Sequence, residues 1–185
     1  MQRLVAGAAG RAYAGAAEAV MDAAAVWGSG WVAVAGNRVA ELARARFLGG
    51  DPAGQVVRVV AGAGEGGDVA RAAATWLASW GADVVDGPGA AQLVLDGWGA
   101  APDATLLDEV LSAEAPILAI VAPAGLGGAA ATWVASATAL WRAPAGALDD
   151  PEWADATGEL WWVDLGVGAP DEARELARAG MVRVR

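Results

Sequence analysis

The chain contains no His, no Cys and no Lys, which leaves few residue types able to do chemistry. Thiol nucleophiles, the serine–histidine triad, zinc and haem ligation and disulfides are excluded, as are a lysine Schiff base and the ordinary phosphate-loop lysine. Proton transfer falls to Asp and Glu, with Tyr13 a distant alternative. The most informative spacing is Gly62-Ala63-Gly64-Glu65-Gly66-Gly67-Asp68, which follows the β-branched run ending at Val59-Val60 and precedes an Ala-rich segment. It sets Gly62, Gly64 and Gly67 in a G-x-G-x-x-G pattern between a strand and a helix. Glycines there allow a tight turn and a close approach to a pyrophosphate, whose charge meets the amides at the helix start. Asp86 follows Gly62 by 24 residues, at the end of the next expected strand, where a ribose-binding acid would stand. The same pattern also reads as a tight turn without a ligand, in a chain with 26 Gly. Glu65 and Asp68 place negative charge beside the phosphate position.

These residues need elements to hold them. Tyr13, Ala16, Val20, Ala24 and Trp27 recur at helical steps and predict a helix over 12–27. A second helix runs from Trp31 to Phe47, with Arg44 and Arg46 at its negative end and Gly49-Gly50-Asp51-Pro52 as its stop. Strands are expected at 55–60, 82–86, 92–96 and 116–121, with a final one at 159–165. Helices are expected after the glycine loop through Trp80, at 105–113 with Asp103 or Thr105 as cap, and at 171–179. Residues 131–141 fit either a strand or a short helix. Pro116-Ile117-Leu118-Ala119-Ile120-Val121 is continuously apolar, as in a strand buried on both faces. Strands alternating with helices predict an α/β fold with a mainly parallel central sheet. No internal repeat or long linker divides the chain, so one domain is expected.

With 12 basic and 22 acidic residues, the chain carries a formal charge of −10. Such a chain repels phosphate backbones, and its arginines form no dense run, so nucleic acid is not an expected partner. An apolar fraction of 56% against 18% charged residues fits a folded core rather than a disordered chain. The longest uncharged stretch, 115–141, is broken by Pro116, Pro123, Gly125, Gly127 and Gly128. It reads as a strand and a Gly-rich loop rather than a membrane span. Residues 1–11 lack the continuous apolar core of a secretory leader, and the absence of Cys agrees with a cytoplasmic protein. Asp149, Asp150, Glu152 and Asp155 could form an oxygen-rich metal site but read more simply as a solvated acidic loop. Ten Trp against one Phe and one Tyr read mainly as core filler or interface.

Several blocks together resemble one family. Val59-Val60-Ala61-Gly62-Ala63-Gly64-Glu65-Gly66-Gly67-Asp68 is similar to the strand and loop of the NAD(P)H-hydrate epimerases (the YjeF N-terminal domain), where the loop runs roughly G-P-G-N-N-G-G-D-G. Leu93-Val94-Leu95-Asp96-Gly97-Trp98-Gly99 resembles the family's V-V-D-A-L-F-G-T-G block. Pro116 to Leu126 resembles P-V-L-A-V-D-I-P-S-G-L, and Leu160-Trp161-Trp162-Val163-Asp164-Leu165-Gly166-Val167 resembles the closing strand. Ala12-Tyr13 through Asp22 and Ala35-Gly36-Asn37-Arg38-Val39-Ala40-Glu41 resemble the two leading helices. The resemblance covers about residues 12–168, leaving 1–11 as an N-terminal extension and 169–185 as a C-terminal helix and tail.

The resemblance implies a Rossmann-like three-layer α/β/α sandwich and a homodimer. It also implies interconversion of the R and S forms of hydrated NADH and NADPH, so that a partner dehydratase can repair the cofactor. Gly62, Gly64, Glu65, Gly66, Gly67 and Asp68, with Gly97, Trp98, Gly99, Val121 and Gly125, would then line the dinucleotide, and Asp96, with Glu65, would ligate potassium. Three departures bear on that chemistry. The Asn-Asn pair is reduced to Glu65, the P-S-G hydroxyl is lost at Ala124, and the acid that touches the damaged nicotinamide is Val121. Asp96 and Asp68 are the carboxylates left as catalytic candidates. A catalytically silent nucleotide-binding or scaffolding relative is the alternative reading, and an unrelated NAD-binding Rossmann domain a third.

Overall fold

The apolar runs of the sequence become the strands of one sheet in the computed structural model, which describes residues 24–26, 28–126, 133–141, 151–163, 165 and 181–183. Strands β1 (Val56–Ala61), β2 (Asp83–Val85), β3 (Leu93–Gly97), β4 (Ile117–Ile120), β5 (Ala137–Leu140), β6 (Glu159–Val163) and β7 (Met181–Arg183) lie in the order β2-β1-β3-β4-β5-β6-β7. The first six are parallel, and β7 runs antiparallel to β6. Every residue of β3, β4 and β5 is buried, as expected of central parallel strands covered on both faces.

Helices α1 (Trp31–Arg46), α2 (Glu65–Ser79) and α3 (Ala104–Leu111) supply the covers, and a short helix α4 (Pro151–Ala156) precedes β6. Ala35, Val39 and Ala43 of α1 and Val69, Ala73 and Leu77 of α2 share one core with Val57, Leu95 and Leu118 of the sheet. On the opposite face, Val110 of α3 packs with Val60, Val94, Ile117, Ala119 and Trp133. The result is a Rossmann-like α/β/α sandwich. Asp103 caps α3 by accepting from the Leu106 N–H at 2.8 Å.

Several expectations change. Residues 159–165 do not hold the last strand, because β7 follows, and three residues are too few to show a period. Of residues 131–141, those described, from 133 onward, form a strand only at Ala137–Leu140. The acidic stretch expected to be a loop contains α4, with Pro151 at the first helical position, where its missing N–H has no cost. The helix expected over 171–179 lies outside the described residues, as does that over 12–27 apart from a helical 24–26.

Between β2 and β3 the chain crosses in residues 86–92 without a helix. Gln92 fastens this short crossing to the start of β1: its N–H donates to the Val56 carbonyl at 2.9 Å, and its side-chain oxygen accepts from the Val56 N–H at 2.6 Å. Among the described residues, no helix is long and apolar enough to cross a membrane.

Candidate functional site

In the order β2-β1-β3, the chain leaves β1 toward one edge and then returns to its other side. The crevice beyond the carboxyl ends of β1 and β3 is therefore a topological switch point, where open α/β sheets hold ligands. Register sets what lines it. Ala61 pairs with Gly97 and Asp96 with Ala119, so Gly62, Trp98 and Val121 form the next row, just past the paired ends. Three blocks distant in sequence thus meet at one rim.

The glycines of the loop do different work. A Cβ on Gly67 would fall on the Gly62 carbonyl oxygen, and one on Gly62 would fall on the Trp98 carbonyl oxygen. Gly97 lies beneath the Gly66 carbonyl, and Gly66 lies over the Ile120 carbonyl. These four let α2 start directly on the ends of β1, β3 and β4. Gly64 differs: it is exposed, has φ +90°, and faces open space. The first rung of α2 runs from the Asp68 N–H to the Gly64 carbonyl at 3.0 Å, and N–H groups earlier in a helix have no carbonyl of their own helix to meet.

Glu65 and Asp68 occupy the first turn of α2, a position that the helix dipole favours for acids. Arg71 offsets the second of them: it donates to Asp68 Oδ1 at 3.0 Å, to the Gly62 carbonyl at 2.8 Å and to the Ala61 carbonyl at 3.2 Å. The only sequence signal for Arg71 is its three-residue spacing from Asp68.

Asp96 is fully buried. It alternates with Leu95, so its side chain faces the α3 layer, together with Val60 and Val94. Its Oδ1 accepts from the Trp98 N–H at 3.0 Å, while Oδ2 accepts from the Ala124 N–H at 2.9 Å and from Trp133 Nε1 at 2.7 Å. Burial pushes its carboxyl above the usual carboxylate range, against the pull of the Trp98, Ala124 and Trp133 hydrogen bonds. A carboxylate sealed in this way has no path to a ligand's proton.

It also does not fit the potassium that the family resemblance implies. A cation needs oxygen lone pairs, but both Asp96 oxygens are met by N–H donors, and Ala124 offers no hydroxyl. No group of three or more Asp or Glu able to hold a metal occurs among the described residues. Asp149 and Asp150 lie outside those residues, and Asp155 is exposed.

Val121 follows β4 with φ +73°, a region that β-branched residues rarely adopt, and its N–H donates to the Ala139 carbonyl at 2.8 Å. It is half-buried against the α1–α2 core. Trp98 is half-buried against the α3 core, and its indole N–H is buried with no partner among the described residues. Gly99 and Gly125 turn the chain behind these two with φ +71° and +79°. Asp86 is exposed and stands next in register after the Arg58–Val85 pair. That level is opposite Val59, three residues or about 10 Å short of Gly62. The structure therefore does not bring the expected ribose acid to the rim.

No protein-family model matches the chain, and no curated protein matches it in sequence.

Proposed function

We propose that this chain is a nucleotide-binding relative of the NAD(P)H-hydrate epimerases, which takes hydrated NADH or NADPH in the β1/β3 crevice and lacks epimerising chemistry of its own. The observation that carries the reading is Gly64, left-handed and unobstructed at the head of α2 on the switch-point rim. A pyrophosphate there meets first-turn N–H groups and the positive end of the helix, with Arg71 offsetting Asp68. Silence follows from the acids. Epimerisation at a hydroxyl-bearing ring carbon needs a group that exchanges protons. Asp96 is sealed, Asp68 is held by Arg71 at the surface, and valine carries no proton. A homodimer in the cytoplasm, acting beside a dehydratase, belongs to the same reading.

A second reading, an active epimerase, is favoured by the backbone of Val121, because strained residues cluster at working sites. Two measurements separate the readings. Thermal melting with NADPH and with its hydrate reports binding, since a ligand of the folded state raises the midpoint. An upward shift is expected, and its absence overturns the binding reading. In a coupled assay, R-hydrated NADPH is mixed with an S-specific dehydratase and NADPH recovery is followed. Recovery at the spontaneous rate is expected, and acceleration establishes the enzyme reading instead.

A further inference from the structure

We infer that the Trp133 indole N–H takes the place of a monovalent cation at Asp96, so that the rim of the crevice is assembled without an ion. A fully buried carboxylate needs compensation, and the partners found for this one are a side-chain N–H and two backbone N–H groups, from Trp133, Trp98 and Ala124. The three come from separate pieces of chain: the end of β3, the turn after β4, and the segment leading to β5. One side chain thus ties together the ends that shape the rim.

The polarity of the site argues for replacement rather than addition. A carboxylate has about four lone-pair positions, and three accept from protein N–H groups. Ala124 turns its amide N–H toward Oδ2, and its side chain carries no oxygen. A cation beside Oδ2 would face the positive ends of the Ala124 and Trp133 N–H bonds. The 2.7 Å separation of Trp133 Nε1 from Oδ2 is that of a charge-assisted hydrogen bond. The indole thereby turns the positive end of its N–H dipole on the oxygen that an ion would otherwise meet.

The test uses the whole chain labelled with 15N at tryptophan, with no nucleotide added, so its outcome is independent of the nucleotide-binding reading. One indole proton should lie well downfield of the others and exchange slowly with solvent. It should vanish in Trp133→Phe and stay fixed as potassium chloride is raised to about 0.15 M against choline chloride at matched ionic strength. Should Trp133→Phe fail to fold, cross-relaxation to the Ala124 amide proton assigns the resonance in the unaltered chain. A potassium-specific displacement of that resonance overturns the inference, as does a Trp133 indole that exchanges freely.

Discussion

Gly67 packs so closely on Gly62 that a Cβ added to it would lie only 2.0 Å from the Gly62 carbonyl oxygen. Part of the glycine pattern is therefore structural, and part is available to a ligand, and the two separate by mutation. Gly67→Ala forces backbone against backbone and should lower the unfolding free energy by about 3 kcal/mol or more, read from urea melts. Gly64→Ala meets no atom but holds alanine at φ +90°, ψ −173°, a region open almost only to glycine, which costs about 1–3 kcal/mol. It should also weaken the NADPH-induced rise in melting temperature, because the new Cβ lies on the open side of the loop. A Gly67→Ala protein as stable as the parent would show that α2 does not start where it is described.

Arg58 and Glu109 make an unequal pair. Arg58 is buried on β1 and donates to the Glu109 carbonyl at 2.7 Å and to its carboxylate at 2.9 Å, whereas the Glu109 side chain is 36% exposed. Removing the acid leaves a buried guanidinium whose Nε already lacks a partner. Glu109→Ala should thus cost about 3–5 kcal/mol. Removing the base lets Glu109 return to water, so Arg58→Met should cost less, within about 2 kcal/mol. Equal losses in the two variants, measured by denaturant unfolding, would remove the asymmetry.

The glycine block is legible because its chemistry is local: a β-branched run, three glycines and an Ala-rich helix follow one another directly. The continuous apolar run at 116–121 is legible for the same reason. The Asp96 clamp is not, because Trp133 lies 37 residues away and no spacing rule marks an indole as a carboxylate's partner. Nor does sequence betray the left-handed backbone at Val121, since valine ordinarily argues against it. Asp86 shows the opposite failure. Its spacing from Gly62 is right, but β2 ends after three residues, so the acid stops short of the rim.

Asp96 should make stability fall as pH rises. Its folded carboxyl titrates above the ordinary value of about 3.9, because burial outweighs its three hydrogen bonds. Between the two values the folded chain holds more protons than the unfolded one. Asp96's contribution is then fully present below the ordinary value and is lost as pH rises through the folded value, by at most about 1.4 kcal/mol per pH unit crossed. Asp96→Asn cannot titrate, and its amide sets a donor against the N–H groups of Trp98, Ala124 or Trp133, so it is destabilised at every pH. The stability gap between parent and variant should narrow from about pH 4 toward neutrality in urea titrations. A gap that widens would mean that the hydrogen bonds, not burial, dominate.

Val121→Asp is the sharpest test of the proposed silence of the crevice. At φ +73° a β-branched side chain costs about 1–2 kcal/mol, and aspartate tolerates this region better because its short polar side chain bonds locally. The relief offsets the loss of a half-buried valine from the α1–α2 core, so unfolding free energy should stay within about 1 kcal/mol of the parent. The substitution sets a carboxylate in the rim row with Gly62 and Trp98, where the resemblance puts the ring-facing acid. General acid–base catalysis typically contributes about 10²–10⁴-fold, so even a poorly placed acid should lift NADPH recovery above the spontaneous rate. A folded variant that still binds NADPH but gives no acceleration would show that more than one missing carboxylate separates this crevice from catalysis. The shortened loop at Glu65 would then be the next position to rebuild.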